Sequence, residues 1–119
     1  MKLTYYINED VCIMSIEEQL ILDQIENFKT ETEEMLKKDQ PQGIILQLHK
    51  ITKIDSSGIG AIVTLFKKSE KLRILFCICR PNPHVAERLE ITRVNRTIPV
   101  YKTEEEAIAY IADNLGRRK

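Results

Sequence analysis

The sequence has few of the residues that break a chain or cross-link it. It contains four glycines, four prolines, three cysteines and no tryptophan among 119 residues, and 6% of the residues are aromatic. This composition excludes collagen-like and low-complexity chains, and an odd number of scattered cysteines argues against the disulfide framework of a small secreted protein. With 43% hydrophobic residues, the chain can form one core without cross-links. We therefore expect a single domain spanning residues 1–119.

An excess of charge of one sign is also missing, as is any long hydrophobic run. Lys+Arg and Asp+Glu number 18 each, so no global field attracts nucleic acid or an anionic membrane. No segment approaches the roughly 18 apolar residues of a membrane-spanning helix, and residues 1–10 lack the pattern of a secretory signal. We expect a cytoplasmic protein with no nucleic-acid partner and no stable membrane insertion. Residues 1–40 have an excess of acidic side chains and residues 41–96 an excess of basic ones. This distribution is compatible with two surfaces of opposite charge and also with ordinary solvated faces.

Motifs for common enzyme chemistry are absent. There is no Walker A loop, no Gly-x-Gly-x-x-Gly and no His-Glu-x-x-His, and neither His49 nor His84 lies next to a nucleophile motif. Cys77 and Cys79 share one strand face, but no second ligand pair at metal spacing accompanies them. We predict buried thiols, no metal, no cofactor and no enzymatic activity.

Hydrophobic periodicity predicts an α/β fold. Turn-prone residues 8–10 separate two β-favouring runs, so the chain should open with an antiparallel hairpin. Apolar residues then recur at helical spacing from about Leu20 to Lys38, with Leu22 counted on the buried face. The first predicted elements are strands 3–7 and 11–16, helix 20–38 and strand 44–48, which leads into an ordered loop with Ile51 and Ile54. A helix follows that carries the apolar residues Ile59, Ile62, Val63 and Phe66. The remaining elements are strand 74–78, helix 83–89, strand 98–101 and a C-terminal helix. The order is ββαβαβαβα, a mixed sheet of about five strands with four helices.

Helix ends are marked by capping residues. Asn82 with Pro83 starts the short helix, and Thr103 with Glu106 forms a capping box for the last one. We expect Gly116 to end that helix and residues 116–119 to form a soluble basic tip.

The segment Asp55–Gly60 lies where a buried strand ends and the clearest amphipathic helix begins. Free backbone N–H groups at a helix start favour an oxygen acceptor or an anion, and small hydroxyls there serve as caps or as modification targets. A plain helix cap, with Gly58 and Gly60 allowing close packing, explains the same residues. A third interpretation is a small hydrolase or transferase that uses Ser56 or Ser57 as its nucleophile, but the sequence contains no paired base in a motif with either serine.

The order Ile44–Gln47, Ile51 and Ile54–Gly60 resembles the central motif of STAS domains, the family of anti-sigma factor antagonists. The resemblance continues through 72–78, 82–92, 98–101 and 103–107, so it covers nearly the whole chain. The sequence departs from the family pattern in three places. Residues 17–21 lack the usual glycine and aspartate of Gly-Glu-Leu-Asp, Arg93 replaces a glycine after Thr92, and residues 69–71 lack the glycine often found before the next strand.

This resemblance implies a bacterial partner switch that regulates transcription. The unmodified protein would bind a serine-kinase anti-sigma factor, which itself uses ATP and Mg²⁺, and phosphorylation of Ser56 would end that binding. The implied partner-binding residues are Asp55, Ser56, Ser57, Gly58, Ile59 and Gly60. A scaffold or accessory subunit of a stress-signalling or transport complex, in which Ser56 is only a cap, remains the alternative. A homodimer also stays open.

Overall fold

Six strands and four helices make up residues 1–117, the part of the chain that this computed structural model describes. The strands are β1 (Lys2–Asn8), β2 (Val11–Leu20), β3 (Gly43–Gln47), β4 (Ile51–Ile54), β5 (Leu75–Cys79) and β6 (Val100–Tyr101). The helices are α1 (Ile25–Asp39), α2 (Ser56–Lys71), α3 (Pro83–Ile91) and α4 (Glu104–Arg117). The predicted mixed α/β fold with four helices is confirmed, and the element order matches the prediction except for β4, an additional strand.

The sheet is mixed, with strand order β1-β2-β3-β5-β6. β1 and β2 form the antiparallel hairpin, and β2, β3, β5 and β6 are parallel. Two hydrophobic layers cover the sheet. The larger contains Ile44 and Leu46 of β3 together with residues of α1, α2 and α3, and the smaller contains Ile45 with residues of α4. Both faces of β3 are therefore buried, as its continuous apolar run predicts.

All three cysteines are buried, as predicted. Cys77 and Cys79 lie in the layer beneath α4, whereas Cys12 lies in the opposite layer. Burial raises the pKa of each thiol to about 12, so the thiolate form is disfavoured at neutral pH.

Strand β2 is longer than the sequence pattern suggests. The prediction ended it at residue 16 and began a helix at Leu20, but β2 continues to Leu20 and α1 begins only at Ile25, after a single 3₁₀ turn at Leu22–Gln24. The extension exists because β2 has two parallel partners in succession. Val11–Ser15 pairs with β3, and Glu18–Leu20 pairs with β4, which the prediction had treated as a loop.

Smaller corrections concern the C-terminal half. The strand predicted over 98–101 is reduced to Val100–Tyr101. The last helix runs through Gly116 to Arg117, because no glycine takes the positive φ that would end a helix in a left-handed residue. Of the predicted basic tip, Arg118 and Lys119 lie outside the described residues.

Backbone conformations with positive φ occur at or near the places where the family's glycines are missing. Glu18 has φ 72°, Arg93 has φ 62°, and Arg73, shortly after residues 69–71, has φ 60°. Glu18 marks the irregularity at which β2 changes partner from β3 to β4. Its N–H donates to the Lys50 carbonyl oxygen, and its own carbonyl oxygen accepts the Thr52 hydroxyl, so the left-handed conformation is held on both sides.

Glycine at position 18 should stabilise the protein, because a left-handed φ is unfavourable for a residue with a Cβ atom. We expect Glu18→Gly to exceed Glu18→Ala in free energy of unfolding by about 1 kcal/mol, measured by urea denaturation. Both variants lose the exposed ion pair between Glu18 and the N-terminal ammonium, so their difference isolates the backbone. Equal stability of the two would show that position 18 carries no backbone strain.

Candidate functional site

The junction between β4 and α2 is organised by one carboxylate. Asp55 has an extended backbone (φ −113°, ψ −176°), and its Oδ1 accepts the Gly58 N–H at 2.9 Å. Its carbonyl oxygen accepts the Ile59 N–H at 3.0 Å, which closes the first turn of the helix. Asp55 is thus the N-cap, the role expected for an Asp before an apolar helical stripe.

The second carboxylate oxygen of Asp55 connects α2 to the segment that precedes α1. Its Oδ2 accepts the Leu22 N–H at 3.0 Å. The Gly58 bond is the largest influence and holds the pKa of Asp55 below its ordinary value; desolvation opposes it, and the weaker effect of the Leu22 bond adds to the lowering. The carboxylate is therefore ionised at neutral pH.

The two serines lie in different environments. Ser56, the first residue of α2, is exposed, and its hydroxyl makes no hydrogen bond within residues 1–117. Ser57 is half-buried and lines a groove between α1 and α2. Ser56 is therefore the hydroxyl that a large protein can reach without displacing an internal partner.

The remaining predicted partner-binding residues differ in accessibility. Gly58 and Ile59 are buried, so they support the junction from beneath and present no side chain to a partner. Gly60 is exposed. Of the six predicted positions, the structure thus brings Ser56 and Gly60 to the surface, with Asp55 and Ser57 half-exposed beside them.

The two glycines are not equivalent, although the sequence suggested close packing at both. A Cβ atom at Gly58 would collide with the Leu20 carbonyl oxygen and come within 2.8 Å of Ile54 Cγ1. A Cβ atom at Gly60 would meet nothing within 4 Å. Only Gly58 is required by packing.

Leu22 is a site residue that the sequence reasoning misplaced. Helical periodicity predicts Leu22 on the buried face of a helix, but it is 69% exposed. The reason is that Leu22 belongs to the 3₁₀ turn, so its side chain is not in phase with α1. A signal of this difference was present in the sequence, because residues 17–21 lack the aspartate that the family usually has there. The 3₁₀ turn accordingly starts after Ile21, whose side chain forms no capping hydrogen bond.

Within residues 1–117, neither histidine forms a hydrogen bond with Ser56 or Ser57. His84 is exposed on α3. His49 follows β3, its Nδ1 is buried without a hydrogen-bond partner, and burial together with Arg80 and Lys50 lowers its pKa. Within residues 1–117 no group of His, Cys, Asp or Glu is arranged to hold a metal ion. No helix in this same range is both long and apolar enough to span a membrane.

Comparisons with known proteins agree on one family. The family model described as the STAS domain matches residues 2–107. A Thermotoga neapolitana protein named as an anti-sigma factor antagonist is 32% identical over 105 residues, which cover 87% of this chain and 92% of the relative. The crystal structure of a Thermotoga maritima protein with the same designation has 27% identity and a TM-score of 0.84, covering 92% of this chain and 94% of that one. The Bacillus cell fate determinant SpoIIAA in its phosphorylated form, at 16% identity, covers 92% and 99% with a TM-score of 0.70, so it shares the fold.

Alanine at the two glycines should have opposite effects on stability. Gly58→Ala forces β2 and α2 apart and should lower the free energy of unfolding by about 2 kcal/mol or more. Gly60→Ala removes the entropic cost of a helical glycine and should raise it by up to about 1 kcal/mol. Urea denaturation followed by circular dichroism measures both, and a destabilising Gly60→Ala would contradict the open space found there.

The contribution of Asp55 should disappear in acid. Because its folded pKa lies below the ordinary 3.8, the stability it adds is fully present above that value and is lost as the pH falls through the folded pKa. Asp55→Asn offers only one oxygen for the two N–H groups. The gap in unfolding free energy between wild type and Asp55→Asn should be constant above about pH 5 and should narrow below pH 3.8. A gap independent of pH would show that the charge of Asp55 adds no stability.

Proposed function

The chain belongs to the STAS domain family, and from that premise we propose that it is an anti-sigma factor antagonist controlled by phosphorylation of Ser56. Its partner is a serine-kinase anti-sigma factor. The unphosphorylated protein binds this kinase and so releases a sigma factor, a switch that operates in the cytoplasm and regulates transcription. ATP and Mg²⁺ belong to the kinase, and this chain is the substrate and regulator.

The observation that carries the proposal is the exposed Ser56 hydroxyl beside an ionised Asp55. Kinase transfer places the γ-phosphoryl group of ATP on Ser56 Oγ, so the serine loses its proton to a kinase base and ADP leaves. Since this hydroxyl has no hydrogen bond within residues 1–117, its modification breaks no internal contact. The sheet and the helices that cover it keep their structure.

Phosphorylation acts through charge. The phosphate adds about −1.5 to −2 charges next to a carboxylate that is already ionised at neutral pH. The positive end of α2 tolerates this charge within the protein. A partner surface shaped for a neutral hydroxyl, however, now meets two adjacent anionic groups and is repelled.

The exposed Leu22 extends the same surface with an apolar side chain. Its backbone N–H donates to the Asp55 carboxylate, so Leu22 is held beside the start of α2. We infer that the kinase contacts Leu22 together with Ser56, the apolar contact adding affinity and the hydroxyl supplying the control.

Substitutions at the two serines test the proposal. In parallel pull-downs from lysate of the source cells, wild type, Ser56→Ala and the control Ser57→Ala should each capture a serine kinase. Ser56→Asp should capture at least about tenfold less, because its carboxylate lies next to Asp55. Mass spectrometry identifies and quantifies the captured proteins.

Incubation of the captured kinase with ATP then separates modification from binding. Wild type and Ser57→Ala should become phosphorylated, whereas Ser56→Ala should not. Equal capture of a transporter subunit by wild type and Ser56→Asp, without a kinase, would contradict the proposal and favour the scaffold alternative.

A further inference from the structure

The outer seam between α1 and α2 is an open groove. Each helix connects parallel strands on the same face of the sheet, so the two helices run in the same direction. Three cavities of about 420, 440 and 350 Å³ follow one another along the seam. Lys68 borders the first two, and Leu36, Lys37 and Leu72 border the last two. We call the whole the seam groove; from Ser57 to Leu72 it extends roughly 22 Å at a helical rise of 1.5 Å per residue.

The floor of the seam groove is apolar. Phe28 and Leu65 line the first cavity, and Leu36 lines the other two; these three side chains are at most 8% exposed. Leu72, at the far end, is 58% exposed. The groove therefore has an apolar floor in each cavity and ends in an accessible leucine.

The rim of the seam groove is mainly cationic. Four lysines border it, Lys29, Lys37, Lys68 and Lys71, against the two glutamates Glu26 and Glu33. Glu33 forms an ion pair with Lys68 across the seam. The acidic first third and the basic middle of the sequence thus meet here, and the rim keeps an excess of positive charge.

Gly60 leaves open space at the first cavity of the groove. It lies within α2, where glycine costs up to about 1 kcal/mol relative to alanine. Its φ is not positive, and a Cβ atom there would touch nothing. Neither backbone conformation nor internal packing explains this glycine, whereas a partner resting on that part of the groove would use the space.

We propose that the seam groove binds an acidic amphipathic helix of a partner protein. A helix of about 15 residues matches the length of the groove. One apolar face of that helix packs on the apolar floor between Phe28 and Leu72, while acidic residues on its flanks meet Lys29, Lys37 and Lys71. This inference does not rest on phosphorylation of Ser56.

A membrane surface fits the groove less well than a helix. The apolar floor is recessed between two helices, so a flat bilayer would reach Leu72 but not Phe28 or Leu65. Glu26 and Glu33 on the same rim would be repelled by anionic lipid headgroups. A helix accommodates both features, because its own side chains can enter the recess and its charges can be placed residue by residue.

Fluorescence anisotropy with a labelled peptide tests the proposal on the full chain. The probe is a peptide of about 15 residues with leucine at helical spacing and glutamate elsewhere, and its counterpart carries lysine in place of glutamate. The glutamate peptide should bind wild type, and the lysine peptide should bind at least about tenfold more weakly. Affinity for the glutamate peptide should fall with rising salt concentration.

Variants with equal charge changes locate the site. Lys37→Glu/Lys71→Glu should weaken binding of the glutamate peptide about tenfold, whereas the matched control Lys67→Glu/Lys102→Glu, outside the groove, should change it less than about threefold. Gly60→Leu adds a bulky side chain to the lining of the first cavity, at a position where a Cβ atom meets nothing within 4 Å, and should also reduce affinity about tenfold. Circular dichroism confirms that each variant is folded.

Three outcomes would overturn the proposal. One is equal binding of the two peptides, and another is an equal effect of the two double variants. The third is binding to phosphatidylglycerol vesicles, dependent on Lys37 and Lys71, without binding of the glutamate peptide; it would assign the surface to a membrane. None of these results alters the capture of a kinase through Ser56, so the two proposals fail independently.

Discussion

Asp55 accepts backbone N–H groups from two segments that are distant in sequence, Gly58 in α2 and Leu22 ahead of α1. One oxygen starts α2 and the other fixes the position of the turn that precedes α1, so these two helices of the larger layer begin close to each other. Because these bonds favour the ionised form, the carboxylate also supplies a negative charge beside Ser56 at neutral pH. The geometry of the junction and the electrostatics proposed for its switch therefore depend on the same group.

The split pairing of β2 brings that carboxylate to the surface. β3 pairs with the first half of β2 and β4 with its last residues, so the chain is carried further along β2 before α2 begins. Gly58 then packs directly against the Leu20 carbonyl, at the end of β2, where a side chain would collide. Ser56, two residues earlier, is left on the exposed side of the same turn. A strained backbone at Glu18 accompanies this change of partners.

The two proposed surfaces have different physical characters and meet at Ser57. At the start of α2 the surface is small and polar, and a single added phosphate changes its charge. Along the seam of α1 and α2 it is long, apolar at its floor and cationic at its rim. A partner that contacted both surfaces would gain affinity from apolar contacts in the groove. Its binding would be controlled at Ser56, because one desolvated phosphate charge there can prevent docking.

The sequence by itself determined the α/β fold with four helices, the start of a helix within the segment Asp55–Gly60 and the burial of the cysteines. These features follow from local rules: an Asp before an apolar helical stripe caps it, and a run that is apolar on both faces forms a central strand. It did not reveal β4, the exposure of Leu22 or the seam groove. β4 has only four residues and forms a strand because β2 extends beyond β3, and Leu22 falls out of phase because a 3₁₀ turn precedes α1. The groove depends on how closely two helices approach each other, and that distance is set by the sheet beneath them rather than by the spacing of residues in either helix.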